Sequence, residues 1–186
     1  GRSVGLDVSR GALLLVSGGG NWAVDQIALS LRGYLCLHYE KVEVLGHIAR
    51  RPFVTHANIH FLCRPAFFDS DGIPDIHFSN RLVVSWLHGG RNSTDPNIVA
   101  ACDQLETHWR KVDRYIVPNS VTLRSLLECG VDPSIVHIIP NGVDTKIFAP
   151  APNDSDRHRV RHELGIPLDA FVVGSFQRDG NELGDP

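Results

Sequence analysis

The sequence predicts a doubly wound, Rossmann-like parallel α/β sheet. Three observations carry this expectation. Residues 12–17 (ALLLVS) and 82–87 (LVVSWL) are continuous apolar runs, the composition of parallel strands covered on both faces. Segments with helical spacing of apolar residues separate such runs. Several runs end directly in glycine or polar turns, as at Gly18-Gly19-Gly20 and His88-Gly89-Gly90. A sheet of this class has right-handed crossovers and takes ligands beyond the carboxyl ends of its strands.

The elements follow in order. After strand 12–17, Asn21 can cap a helix with Val24, Ile27, Ala28, Leu31 and Leu35 on one stripe. Residues 41–45 (KVEVL) alternate as a short strand, and residues 58–64 (NIHFLCR) form another. Residues 65–81 read as loop, broken by Pro65, Gly72 and Pro74. Strand 82–87 follows. Asp95-Pro96 then starts a helix: a capping aspartate, with proline in the first turn. Its stripe is Ile98, Ala101, Cys102, Leu105, Trp109 and Val112. Residues 114–117 (RYIV) make a strand. Ser120 can cap a helix carrying Leu123, Leu126 and Leu127, and Gly130 can end it. Residues 135–139 read as a buried strand ending at Pro140 and a tight Asn141-Gly142 turn, where a left-handed backbone is tolerated. Residues 149–156 have linker composition. A short basic helix covers 157–164, and residues 170–174 (AFVVG) read as one more strand.

The chain has 186 residues, of which 42% are hydrophobic, enough for one well-buried domain and too few for a second. Its 18 basic and 21 acidic residues are mixed along the sequence, so no basic block points to nucleic acid. No apolar run approaches the roughly 20 residues of a membrane span, and the N-terminal residues lack the pattern of a secretion signal. Cys36, Cys63, Cys102 and Cys129 form no C-x-x-C pair and read as cytosolic thiols. The absence of methionine and the strand placed almost at the end suggest a fragment.

Residues 135–150 (IVHIIPNGVDTKIFAP) carry a more specific pattern, I-P-N-G-V-D-x-x-x-F-x-P. It resembles the crossover between the two domains of retaining glycosyltransferases of the GT-B fold, in the large family 4 that includes sucrose synthases and mannosyltransferases. Residues 171–180 (FVVGSFQRDG) resemble the opening strand and loop of that family's donor domain. The common family pattern has V-G-R there, followed by a lysine. Here Ser175 takes the arginine's place and Arg178 comes three residues later, closer to a subgroup with GSFQ-[KR]-DG. The usual lysine and the glutamate motif would fall beyond Pro186. The resemblance implies an N-terminal acceptor-binding domain at 1–150, the N-terminal half of a two-domain GT-B fold. Residues 151–186 would be the linker helix and first strand of a truncated donor domain.

Topology alone places Gly18–Gly20, His88–Gly90 and Asn119–Ser120 on one rim. Glycines at a helix start let a ligand approach the backbone, and that helix end favours anions. The resemblance implies roles. His88, in SWLHGG, corresponds to the histidine that contacts the donor sugar and is the expected catalytic residue. Gly19, Gly20, Gly89 and Arg178 would bind the donor; Gly18, Asn21, Trp22 and Asn119 would border the acceptor. Asp144 would fix the linker. No metal site is expected. His56/His60 and His158/His162 have four-residue spacing, yet no carboxylate cluster accompanies them and the second pair sits among arginines. Paired glycosidase carboxylates and a G-x-S-x-G elbow are missing as well.

The resemblance thus implies transfer of a sugar, with retention, from a nucleotide-diphosphate sugar to a hydroxyl acceptor on a glycan, lipid or small molecule. No cofactor is needed beyond that donor. The 186-residue chain by itself is expected to be inactive. A sugar-nucleotide epimerase of GT-B-like fold and a non-catalytic carbohydrate-binding module are the rival readings. The expected location is the cytoplasm, with the inner membrane face as a peripheral site. Strand 170–174, otherwise unpaired, offers a way for two copies to form a homodimer.

Overall fold

A computed structural model of the chain describes residues 11–18, 23–46, 55–68, 73–146, 148–151 and 153–173. The chain divides into two units, Gly1–Asn141 and Gly142–Pro186.

The first unit is built on a six-stranded, fully parallel sheet. Its strands are β1 (Ala12–Val16), β2 (Lys41–Leu45), β3 (Asn58–Phe61), β4 (Arg81–Ser85), β5 (Arg114–Val117) and β6 (Val136–Ile138), in the order β2-β1-β3-β4-β5-β6. The order reverses between β1 and β3, which makes that gap the topological switch point. Among the described residues the unit has three α-helices: α1 (Ala23–Leu35), α2 (Pro96–His108) and α3 (Ser120–Glu128).

Alternation along β1 explains the two-sided core. Leu13 and Leu15 pack with Ala28, Val24 and Leu31 of α1. Leu14 and Val16 point the other way, into a larger cluster with Ile98, Ala101, Cys102 and Leu105 of α2 and Leu126 of α3. One face therefore carries α1 and the opposite face α2 and α3, as right-handed crossovers running in opposite directions from β1 require. Phe61, Phe67, Phe68 and Trp86 are all buried in the larger cluster, the first three packed edge to face and Phe68 tilted against Trp86.

Helix α2 begins as its sequence dictates: Asp95 Oδ1 accepts from the Asn97 N–H at 2.9 Å, and Pro96 occupies the first turn. Helix α3 differs from expectation. Asn119, in place of Ser120, is the cap, its Oδ1 accepting from the Thr122 N–H at 2.9 Å. It ends as expected at Gly130, where the Val131 N–H bonds back to the Leu126 carbonyl at 3.2 Å.

Four further expectations are corrected. Strand β3 stops at Phe61; residues 64–66 turn into a 3-10 helix because Pro65 cannot donate to a ladder. Strand β6 lies at the edge, with Ile138 and Ile139 about half exposed, so the run 135–139 is not the buried strand its composition suggests. Asn141-Gly142 make no left-handed turn, since Gly142 is not among the positive-φ glycines. The bend comes later, where Asp144 Oδ1 accepts from the Lys146 N–H and its carbonyl from the Phe148 N–H, both at 2.8 Å. Ile27, placed on the core stripe of α1, is exposed.

In the second unit, α4 (Asp154–Glu163) starts earlier than the basic run at 157 suggests. Asn153 caps it, and Asp154 and Asp156 sit in the first turn, where acidic groups suit the helix dipole. It is a solvated helix without a buried residue. Arg161 turns back and donates to the carbonyls of Pro167, Leu168 and Ala170. Residues 170–173 form no strand, and Phe171, Val172 and Val173 are exposed. A strand exists only when a neighbour pairs with it, and among the described residues none does. Gly174 lies outside them.

Candidate functional site

All strands being parallel, the loops after β1, β3, β4 and β5 leave one edge of the sheet. They bring Gly18, Arg64, His88 and Asn119 to the same rim.

The loop after β4 is fixed from below. Trp86 is fully buried, and its indole N–H donates to the Gly89 carbonyl at 3.0 Å. Gly89 has φ +84°, and a Cβ added there would lie 2.7 Å from two carbons of Ile98 in α2. At Gly90 a Cβ would lie 2.6 Å from Ser125 Oγ in α3. Both glycines are thus required by close contact with the helices beneath. Arg91 ties the loop to α2 as well, donating to Asp103 at 2.9 Å and to Glu106. His88 stands exposed on this anchored turn, three residues past the end of β4 rather than directly on it.

The loop after β1 holds Gly18 with φ +95°, a left-handed backbone that glycine adopts without strain. A Cβ there would lie 3.4 Å from Cys63 Sγ, and the Cys63 thiol donates to the Ser17 carbonyl at 3.2 Å. The loops after β1 and β3 therefore touch at the switch point. Burial pushes the Cys63 thiol above its usual range, so it is a packing group at neutral pH.

Arg64, the next residue, is a functional candidate that sequence reasoning missed by counting it inside strand 58–64. It is 8% exposed, and among the described residues its Nε and Nη1 have no hydrogen-bond partner. Its guanidinium carbon lies 5.7 Å from the centre of the Trp86 ring, within cation–π reach. Burial lowers the Arg64 pKa, and the Asp95 carboxylate is the foremost charge opposing that shift. The signal available in sequence was Pro65, which cannot donate to a ladder and so argues against a strand running through residue 64.

Beneath the rim, His60 of β3 and Ser85 of β4 join across the sheet, Nε2 to Oγ at 2.8 Å. Burial pushes the His60 pKa down to about 4, so the ring is neutral at pH 7. His56 lies in the loop before β3, not on a helix with His60. No group of three or more His, Cys, Asp or Glu side chains poised for a metal occurs among the described residues.

The structure thus brings Gly18, His88, Gly89 and Asn119 to one rim. The Asn119 carbonyl oxygen is already committed to capping α3, with Thr122 Oγ1 also donating to it at 3.2 Å, which leaves the Nδ2 group to meet a ligand. Gly19, Gly20, Asn21, Trp22 and Arg178 lie outside the described residues. No helix among the described residues is long and apolar enough to cross a membrane.

A family model described as Glycosyltransferase Family 4 matches residues 30–147, more than half of the chain. A D-inositol 3-phosphate glycosyltransferase of Acidothermus cellulolyticus is 33% identical over 87 residues, which is 46% of this chain and 16% of that protein. A second protein of that name, from Kineococcus radiotolerans, is 40% identical over 62 residues, 33% of this chain and 14% of the relative. The matched part is therefore a small fraction of either relative's length. A crystal structure of Anabaena Alr3699/HepE in complex with UDP covers 84% of this chain and 50% of its own, at 16% identity and a TM-score of 0.48.

Proposed function

The chain belongs to glycosyltransferase family 4, and on that premise we propose that it forms the acceptor-binding part of an enzyme that moves a sugar, with retention of configuration, from a nucleotide-diphosphate sugar to a hydroxyl acceptor. The observation that carries this reading is the family match over residues 30–147, which spans β2 to β6 and the loops bearing Arg64, His88 and Asn119. Glycosyl transfer by the whole enzyme, its retaining course, its hexosyl type and its acceptor are all part of the proposal.

His88 is the group we assign to the donor sugar. It combines an exposed imidazole with a turn that Trp86, Ile98 and Arg91 hold still, and preorganised polar groups stabilise developing charge without reorganising. Gly89 supplies the turn's backbone next to it. Gly18 and Asn119 belong to the acceptor side of the rim. The assignments of Gly19, Gly20, Asn21, Trp22 and Arg178 rest on the resemblance of their motifs alone. In this reading residues 1–150 serve the acceptor and 151–186 lead into a donor domain. Departure of the diphosphate is assisted by basic groups and a helix end, without a metal. The compartment is the cytoplasm.

A polyol phosphate is the first acceptor to test, because the two curated relatives carry D-inositol 3-phosphate in their names. Native mass spectrometry of the purified chain with D-inositol 3-phosphate and with UDP-, GDP- and ADP-sugars tests the division of labour. The expected result is a complex with the acceptor and none that persists with the donors. A selective donor complex without acceptor binding would contradict it. Formation of an epimerised donor in the absence of acceptor would replace transfer by epimerisation.

A further inference from the structure

We propose that Arg64 is an oxyanion receptor, placed at the β1/β3 switch point to take a phosphoryl group of the substrate. The inference rests on the glycosyl-transfer reading and adds a residue and a ligand chemistry to it. Three independent observations lead there.

The first is the missing acceptor. Arg64 is 8% exposed, yet two of its three guanidinium nitrogens, Nε and Nη1, have no hydrogen-bond partner among the described residues. A buried donor left unmade is destabilising, and buried cations are ordinarily paired. Among the described residues, Asp95 supplies the foremost opposing charge, yet it accepts no hydrogen bond from Nε or Nη1. The neighbouring Cys63 and Cys102 thiols are raised in pKa by burial and stay neutral at pH 7.

The second is position. Arg64 follows β3 at the carboxyl end of the sheet, beside the loop after β1, which Cys63 contacts through the Ser17 carbonyl. Parallel sheets bind ligands where the strand order reverses, and that reversal falls between β1 and β3. The third is orientation by a shared support. Arg64 lies over the Trp86 ring, and the same indole anchors the Gly89 carbonyl beside His88. A ligand gripped by Arg64 is thereby tied to the frame that carries His88. Arginine suits the task because its planar array of donors matches phosphate geometry and it stays charged.

Two phosphoryl sources share this chemistry: a phosphate on the acceptor and the diphosphate of the donor. Isothermal titration of the 186-residue chain and of Arg64→Lys and Arg64→Met with D-inositol 3-phosphate, myo-inositol, UDP and inorganic phosphate separates them. The expected result is tenfold or greater weakening of at least one phosphate-bearing ligand in Arg64→Met, a smaller loss in Arg64→Lys, and no change for myo-inositol. Loss confined to D-inositol 3-phosphate assigns the acceptor's phosphate; loss confined to UDP assigns the donor's. Urea unfolding without ligand provides the second readout. A receptor waiting for its anion predicts that Arg64→Met is at least as stable as the parent. A purely structural cation predicts a less stable Arg64→Met with unchanged phosphate affinity, and that result overturns the proposal. Absence of any phosphate binding by the parent chain overturns it too, whereas binding of neither phosphates, polyol nor nucleotide sugars sinks the glycosyl-transfer reading itself.

Discussion

The loops after β3 and β4 leave adjacent strands on the same edge of the sheet, yet they are built on opposite terms. In the β4 loop the groups are spoken for: the Gly89 carbonyl takes the Trp86 indole, Ile98 and Ser125 fill the space beside both glycines, and Arg91 is clamped between Asp103 and Glu106. In the β3 loop a buried arginine keeps two nitrogens without an acceptor. The first is a rigid platform that presents one exposed histidine. The second is a buried charge with two donors left open among the described residues. A binding rim needs both kinds of part: a frame that does not move and a group left unsatisfied until the ligand arrives.

The contrast can be broken at its rigid end first. Gly89→Ala forces a side chain into a left-handed backbone and against Ile98. Strain and overpacking together predict a loss of roughly 4 kcal/mol in urea unfolding. A change below about 1 kcal/mol would mean the platform yields easily.

The joint between the two strands predicts the next largest effect. Burial lowers the folded pKa of His60 to about 4 from 6.5, so the unfolded chain takes up the proton first. Stability is therefore full above pH 6.5 and is lost as pH falls toward 4, by at most roughly 3 kcal/mol. His60→Gln should flatten that slope in unfolding measured between these pH values. An unchanged slope would assign the loss to other groups.

Smaller effects sharpen the comparison. Asn119→Ala removes the cap of α3 and should cost about 1 kcal/mol, read as a lower urea midpoint, while Ser120→Ala should cost far less. His88→Ala should shift stability by no more than about 0.5 kcal/mol, as for an exposed residue outside the packing, while abolishing detectable sugar transfer wherever the parent enzyme shows it. A His88→Ala enzyme with full transfer rate would remove His88 from the reaction.

Much of this was legible in the residues themselves. Strand 114–117 falls where its apolar pattern places it, α2 begins at Asp95-Pro96, and α3 ends at Gly130. These are local signals, set by period, capping and turn chemistry. The misreadings share a different cause: they depend on neighbours far away in sequence. Ile135–Ile139 has the composition of an interior strand and sits at the edge, because strand order is decided by the whole sheet. The run 170–174 has strand propensity without a described strand to pair with. Asn119 and Ser120 are both good caps, and only the position where β5 ends selects Asn119. Arg64 was the costliest omission. An arginine beside a proline reads as a solvated strand end, and nothing local announces that it will be buried over the Trp86 ring. For the site, His88 and its glycines were visible as a motif, whereas the reason for the glycines, contact with Ile98 and Ser125, was not.

The central claim is that ligand enters at the carboxyl ends of the strands, between the unfinished β3 loop and the fixed β4 loop. Backbone chemical-shift mapping of the chain during titration with D-inositol 3-phosphate tests it most directly. The account predicts saturable shifts concentrated at Ser17–Gly18, Cys63–Arg64 and His88–Gly90, with β6 and α4 unmoved. Shifts clustered at the amino ends of the strands or along α4, or no shifts at all, would contradict it.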